Sequence, residues 1–244
     1  LEVYLRPALQ GGGSGFQNWR PPGNDRPRSA VDLTLLWLGL LETLKLSILS
    51  ILISLVLGTV IGIMRAAPLR PVAVFAEGYV VFFRNIPLLI ILFFILNGLP
   101  ASPLAIRLGF FETGLVGLAV YTAAYVAEVV RAGLESLSRG QLEAARSLGM
   151  SWALTMRYVL LPQAFAAIIP PLGSVFVALT KNTALASTVA VPELLYQSKI
   201  VEARTFNPNV LLITGLMYLI ITIPLGVLVN HLEARFSVAR FGQR

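Results

Sequence analysis

Few residues in this chain have types suited to chemistry, and those types exclude most reactions. Cysteine is absent and His231 is the single histidine. That rules out a disulfide framework, a thiolate metal site and a histidine cluster, and it leaves no second histidine for catalysis. No G-x-x-x-x-G-K-[ST] loop occurs, so the chain carries no ATPase of its own. What remains is polar chemistry set within or beside apolar runs. Arg84 stands just ahead of Pro87, and Lys181, Asn182, Thr183 and Ser187 follow an apolar stretch. An ionisable group at membrane depth is costly and points to a substrate or ion pathway. Arg84 suits a carboxylate, the alternative being a side chain that snorkels to the headgroups. Lys181 suits substrate contact or an ion pair with Glu193 or Glu202. Thr183 and Ser187 either line the path or bond to their own helix backbone. A second polar segment, Gln141-Leu142-Glu143-Ala144-Ala145-Arg146-Ser147-Leu148-Gly149, is built of good helix formers apart from Ser147 and ends on a glycine suited to a helix terminus.

The elements that position these residues must be membrane spans. The chain has 244 residues, 56% of them hydrophobic and only 13% charged, more apolar surface than a water-soluble domain can hide. Its net charge of +7 comes from basic residues between apolar runs, as in spans oriented by flanking charge, and not from one nucleic-acid-binding face. Residues 46–64, 86–106, 158–180 and 207–230 carry no charged side chain, and each is long enough to cross most of a bilayer core. The first extends back to Leu35, with Glu42 and Lys45 pairing at i, i+3. The second begins before Arg84 and ends near Leu99 and Pro100. A shorter run, residues 114–127, continues through Glu128 and Arg131 into the headgroup region. Five spans result. Pro162, Pro170, Pro171 and Gly173 predict that the fourth is kinked or broken, and residues 182–192 predict a re-entrant or interfacial segment.

Basic residues set the orientation. Arg65 and Arg70, then Arg131, Arg139, Arg146 and Arg157, then Arg235, Arg240 and Arg244 fall on one side, which is expected to be cytoplasmic, with the N-terminus outside. Arg6, Arg20, Arg26 and Arg28 of the N-terminal tail argue the other way. Residues 1–32, interrupted by Gly11-Gly12-Gly13-Ser14-Gly15 and Pro21-Pro22-Gly23, read as a flexible or extramembrane tail and not as a signal peptide. Whether an upstream segment exists is left open by a first residue other than Met. Residues 33–236 form the membrane domain and 237–244 a cytoplasmic C-terminal tail.

Position gives the polar segment its meaning. Glu143-Ala144-Ala145, then Gly149, then Leu161-Pro162, on the cytoplasmic side before the penultimate span, resembles the EAA loop of ATP-binding-cassette (ABC) importer permeases. Phe83-Arg84-Asn85-Ile86-Pro87-Leu88-Leu89, Ala127-Glu128-Val129-Val130-Arg131-Ala132-Gly133, Leu161-Pro162-Gln163-Ala164 and Lys181-Asn182-Thr183-Ala184-Leu185 are similar to the polar amino acid permeases of the histidine/glutamine type. The likeness covers about residues 35–235.

The resemblance implies an all-α integral membrane protein of the type I ABC importer fold, with about five transmembrane helices and a cytoplasmic coupling helix. It implies a permease subunit of a bacterial inner-membrane amino acid importer. Gln141, Glu143, Ala144, Ala145, Arg146 and Gly149 would couple it to an ATPase subunit, with Arg84, Lys181, Asn182, Thr183 and Ser187 along the substrate pathway. The implied partners are ABC ATPase subunits, a second identical or related permease chain, a solute-binding protein and membrane lipid. No cofactor is expected in this chain, since ATP and Mg belong to the partner. Asn182 departs from the aspartate usual in the family; an uncharged amide points to a neutral or broad substrate range. The alternatives are a permease for another small solute and an ion-gradient-driven transporter. The latter usually shows repeated spans and intramembrane acids, and the sequence has no internal repeat and few acids in its apolar runs.

Overall fold

The computed structural model describes residues 31–137 and 139–241; residues 1–30 of the expected tail lie outside them. Helix α1 (Leu33–Arg65) starts at Asp32, whose carboxylate accepts the Thr34 N–H at 3.2 Å. Its buried face combines Leu36, Leu40, Leu46 and Ile61 with a file of small residues, Gly39, Thr43, Ser47, Ser50, Ser54, Gly58 and Gly62. Large apolar side chains such as Ile48, Leu52 and Val56 point outward. This inverts the pattern of a soluble helix. Lipid solvates the large side chains, and the small ones let another backbone come close. The other backbone is that of α4 (Phe110–Glu135). A Cβ at Gly58 would stand 2.6 Å from the Ala123 carbonyl oxygen, and one at Gly62 2.8 Å from that of Ala127. Glycine is required at both positions. Glu42 and Lys45 pair at 3.3 Å as expected, and Lys45 also lies over the Phe111 ring.

Between α1 and α4 run α2 (Arg70–Asn85) and α3 (Leu88–Phe93), the latter continued by a π-turn at Phe94–Gly98 and a last turn at Leu99–Ala101. The two helices meet at 102°. Pro87 dictates the bend: it forces Ile86 into an extended conformation (φ −96°, ψ 133°) and caps the next helix. Tyr79 ties α2 to α4 by donating to the Val120 carbonyl at 2.7 Å.

A kink or a break was expected in the fourth span, and the structure places no break at the proline pair. Helix α6 (Leu161–Asn182) runs unbroken through Pro170 and Pro171. Pro162 falls in its first turn, where a missing N–H costs least, and a π-turn at Met156–Leu160 leads into it. Packing clamps α6 on both sides of the proline pair: Gly133 of α4 lies against Ile168, and a Cβ at Gly173 would come within 2.5 Å of Val229. With flanking turns held, two lost rungs do not break the helix. The span then tightens into a 3₁₀ stretch, Thr183–Val189, ended by Ala190 at φ +60°. This is how residues 182–192, expected to be re-entrant or interfacial, are built. Helix α7 (Leu194–Thr205) follows, and α8 (Asn209–Phe241) closes the described bundle.

Among the described residues, four helices are long and apolar enough to cross a membrane, five if the bent pair forms one span. Of these, α4 is the most enclosed, 61% of its most apolar stretch being buried against 17% for α8. Leu118 of α4 packs with Leu46, Leu88, Leu92 and Val191 in the central apolar cluster.

Candidate coupling helix and translocation hollow

The polar segment folds as α5 (Arg139–Ser147), between α4 and the start of α6. Its C-terminus is a Schellman motif: the Met150 N–H donates to the Ala145 carbonyl (3.1 Å) and the Gly149 N–H to that of Arg146 (2.9 Å). Gly149 sits at φ +75°, in the left-handed region, with nothing within 4 Å of where a Cβ would lie. Conformation, not space, makes glycine fit here. Ala145 is buried, turned toward the bundle, whereas Glu143, Ala144 and Arg146 are exposed, and Gln141 is half-buried. Beside them Leu148 is 82% and Trp152 60% exposed. Leu148, an apolar side chain open at the end of a polar helix outside the spans, offers a surface suited to a protein partner, and Trp152 stands at the start of the next candidate span.

A second feature lies between α4 and α6: a hollow of about 360 Å³ lined by Tyr121, Thr122, Tyr125, Ser174, Ala178 and Asn182. The Tyr121 and Tyr125 hydroxyls are 2.9 Å apart, and Ser174 and Ala178 are exposed at its rim. A groove of about 380 Å³ at the α2–α3 bend, walled by Phe82, Phe83, Ile90, Phe94 and Val116 among others, has no polar side chain in its lining. Of these two, the former presents groups that could meet a polar solute.

Of the five residues expected along a pathway, Asn182 lines this hollow. Arg84 adjoins it, its guanidinium 5.4 Å from the centre of the Tyr125 ring. Thr183 and Ser187 are buried, and their hydroxyls donate to the carbonyls of Thr180 and Ala184 at 2.7 Å each. Lys181 is exposed, and no described ion pair joins it to Glu193 or Glu202.

Arg84 does not snorkel free. It donates to Glu128 at 3.0 Å, in a cluster that joins three helices. Arg65 of α1 reaches the same Glu128 oxygen at 2.7 Å and also engages Glu77 of α2. Arg131 binds the other Glu128 oxygen at 2.6 Å and pairs with Glu135. Glu128 and Arg131, expected to carry α4 on toward the headgroup region, pair at i, i+3 within a helix that continues to Glu135, and Glu128 also fastens α4 to α1 and α2 through Arg65 and Arg84.

Sequence reasoning also missed the role of Glu193. It is fully buried at the head of α7, accepting the N–H groups of Leu195 (3.0 Å) and Tyr196 (2.8 Å) and the Tyr218 hydroxyl (2.5 Å). Thr43 of α1 completes the knot by accepting the Leu194 N–H at 3.0 Å. Burial pushes the Glu193 carboxyl above its ordinary 4.5, against the lowering effect of hydrogen bonds from Tyr218, Leu195, Tyr196 and Thr43. Its position immediately ahead of Leu194 and Leu195 was the available signal, a capping carboxylate that looks like a loop charge.

Residues 54–238 match the family model described as the binding-protein-dependent transport system inner membrane component. The probable glutamine ABC transporter permease protein GlnM of Bacillus subtilis (strain 168) is 42% identical over 200 residues, covering 82% of this chain and 92% of that protein. Among solved structures, an amino acid ABC transporter crystallised with histidines superposes with a TM-score of 0.77 at 35% identity, over 83% of this chain and 94% of the other. The inward-facing MetNI methionine ABC transporter gives 0.69 at 20% identity over 84% and 97%, a likeness of fold alone. A capped helix set between membrane spans, a polar hollow and these matches together lead to one conclusion: the chain belongs to the inner-membrane permease subunits of binding-protein-dependent ABC transporters.

Proposed function

We propose that this permease imports amino acids, that α5 carries the motion of a partner ATPase into the bundle, and that the α4–α6 hollow is this chain's share of the translocation path. The observation that carries the reading is α5 itself. It is a short polar helix outside the spans, stopped by a left-handed glycine, with Glu143, Ala144 and Arg146 open and Leu148 and Trp152 exposed beside them. Ala144, small and exposed, lets it seat closely in a partner's groove, Ala145 packs against the bundle instead, and Glu143 and Arg146 supply polar contacts at the rim. ATP and Mg are bound by the partner, and closure of two such ATPase subunits moves α5. The spans then exchange outward- and inward-facing states, a two-state element biased from outside.

An amino acid as substrate is supported by the polar lining of the hollow, by Asn182 within it, and by relatives named for glutamine and for amino acids. The uncharged Asn182 favours neutral or mixed substrates over strictly cationic ones. The open rim at Ser174 and Ala178 suits closure by a second permease chain, identical or related. A solute-binding protein delivers the ligand on the side opposite α5.

The test is ATP-driven uptake of labelled amino acids into proteoliposomes holding the permease, its ATPase and its binding protein. Glu143→Lys is expected to leave membrane insertion intact while uptake fails and ATP hydrolysis continues. Unchanged uptake in that variant refutes the assignment of α5.

A further inference from the structure

We propose that Arg84 receives the α-carboxylate of the transported amino acid, exchanging it for Glu128. The inference rests on the amino acid reading above and names the group on this chain that recognises the substrate. Glu128 is oversupplied with cations. Arg65 and Arg84 share one of its oxygens, at 2.7 and 3.0 Å, while Arg131 holds the other at 2.6 Å. Two of the three arginines have a second carboxylate, Glu77 for Arg65 and Glu135 for Arg131. Arg84 has the longest of the three links, and its one described ion pair is the shared one. Its side chain is also the most open, 41% exposed against 27% for Arg131 and 6% for Arg65. If Arg84 turns away, the half-buried Glu128 keeps two guanidinium partners and is not left unpaired. The cluster is built to release that one cation.

Arg84 also stands where a substrate would find it. Its guanidinium lies on the ring of Tyr125, and Tyr125 lines the hollow together with Tyr121 and Asn182. It occupies the last turn of α2, beside the 102° bend at Ile86 and Pro87. A guanidinium offers five donors in a planar fork that matches a carboxylate through two parallel bonds. Every amino acid presents that group, so a fixed carboxylate receptor is compatible with a range of side chains. Glu128 then acts as a built-in competitor that returns Arg84 to its resting pair when the substrate leaves.

The experiment compares two probes on the permease–ATPase complex in lipid nanodiscs, without the binding protein. They are the amino acid that the wild-type system takes up fastest from a panel of the standard ones, and the amino alcohol bearing the same side chain. Binding is read by saturation-transfer NMR titration. The wild type is expected to prefer the amino acid. Arg84→Ala should weaken amino acid binding by about tenfold or more, the size of one charge-assisted hydrogen bond, and abolish the preference over the alcohol. Glu128→Gln should strengthen amino acid binding, because the competitor is weakened. A merely structural role for the pair predicts that both variants weaken binding and that the preference persists, and either result overturns the proposal. A wild-type system that takes up no amino acid overturns the functional reading beneath it.

Discussion

Replacing Gly149 separates a conformational role from a steric one. The residue sits at φ +75° with open space around the missing Cβ, so a side chain there collides with nothing in this chain. Its cost is the left-handed backbone alone, roughly 1–2 kcal/mol for an ordinary L-residue. Asparagine enters that region far more readily. A penalty of that size divides the capped population of α5 by a factor of about 5 to 30 relative to the frayed one. The N–H groups of Gly149 and Met150, which close on Arg146 and Ala145, would then be released and the end of α5 would lose its fixed position. Uptake and ATP hydrolysis measured together in proteoliposomes give the number of hydrolysis events per solute. Gly149→Val should lower uptake per ATP hydrolysed about fivefold or more, Gly149→Ala should do less damage, and Gly149→Asn should stay close to the wild type. If asparagine proves as harmful as valine, or valine is silent, the capping argument is refuted.

Other substitutions probe the scaffold. Glu193→Ala leaves the Tyr218 hydroxyl and two N–H groups of α7 without their acceptor, at about 1–3 kcal/mol for each group that stays buried and unpaired. The melting temperature of the detergent-solubilised complex should fall accordingly, and an unchanged value would contradict the knot. The pH dependence has a definite sign. Because the folded Glu193 carboxyl is raised above 4.5, its contribution to stability is present below the ordinary carboxylate range and is lost as pH rises through its raised value. Melting temperature plotted against pH upward from 4.5 should therefore decline less in Glu193→Gln than in the wild type. Gly62→Leu drives a side chain into Ala127 and Val130 of α4 and should sharply reduce the yield of inserted, monodisperse protein; normal yield would argue against close α1–α4 packing. Uptake confined to arginine and lysine would contradict the substrate range inferred from Asn182.

Much of this architecture was legible because a bilayer imposes simple rules on sequence. Charge-free runs located α1, α3, α6 and α8, whereas α2 carries Arg70, Glu77 and Arg84 and was not marked by one, and the Glu42–Lys45 spacing correctly carried α1 back beyond its apolar core. Gly149 marked the end of α5. Proline was less reliable. Pro87 bends its span by 102°, whereas Pro170 and Pro171 lie within a continuous helix, since the outcome depends on whether neighbours hold the flanking turns. Those neighbours, Gly133 against Ile168 and Gly173 against Val229, are contacts between distant parts of the chain. The same limit hid the Glu128 cluster, whose members come from α1, α2 and α4, and the Glu193 knot, where Thr43 lies 150 positions away. Arg84 and Asn182 could be singled out by type, but their meeting around Tyr125 required the fold.

Because the chain contains no native cysteine, Ala144→Cys supplies a unique reactive thiol on the exposed side of α5. Cross-linking it to the ATPase subunit, while following ATP-driven uptake before and after the link forms, tests the coupling directly. A specific permease–ATPase adduct that abolishes uptake, in a system inactive without the ATPase, is the expected result. Amino acid uptake that proceeds without the ATPase, or continues unchanged once α5 is linked, would contradict the account.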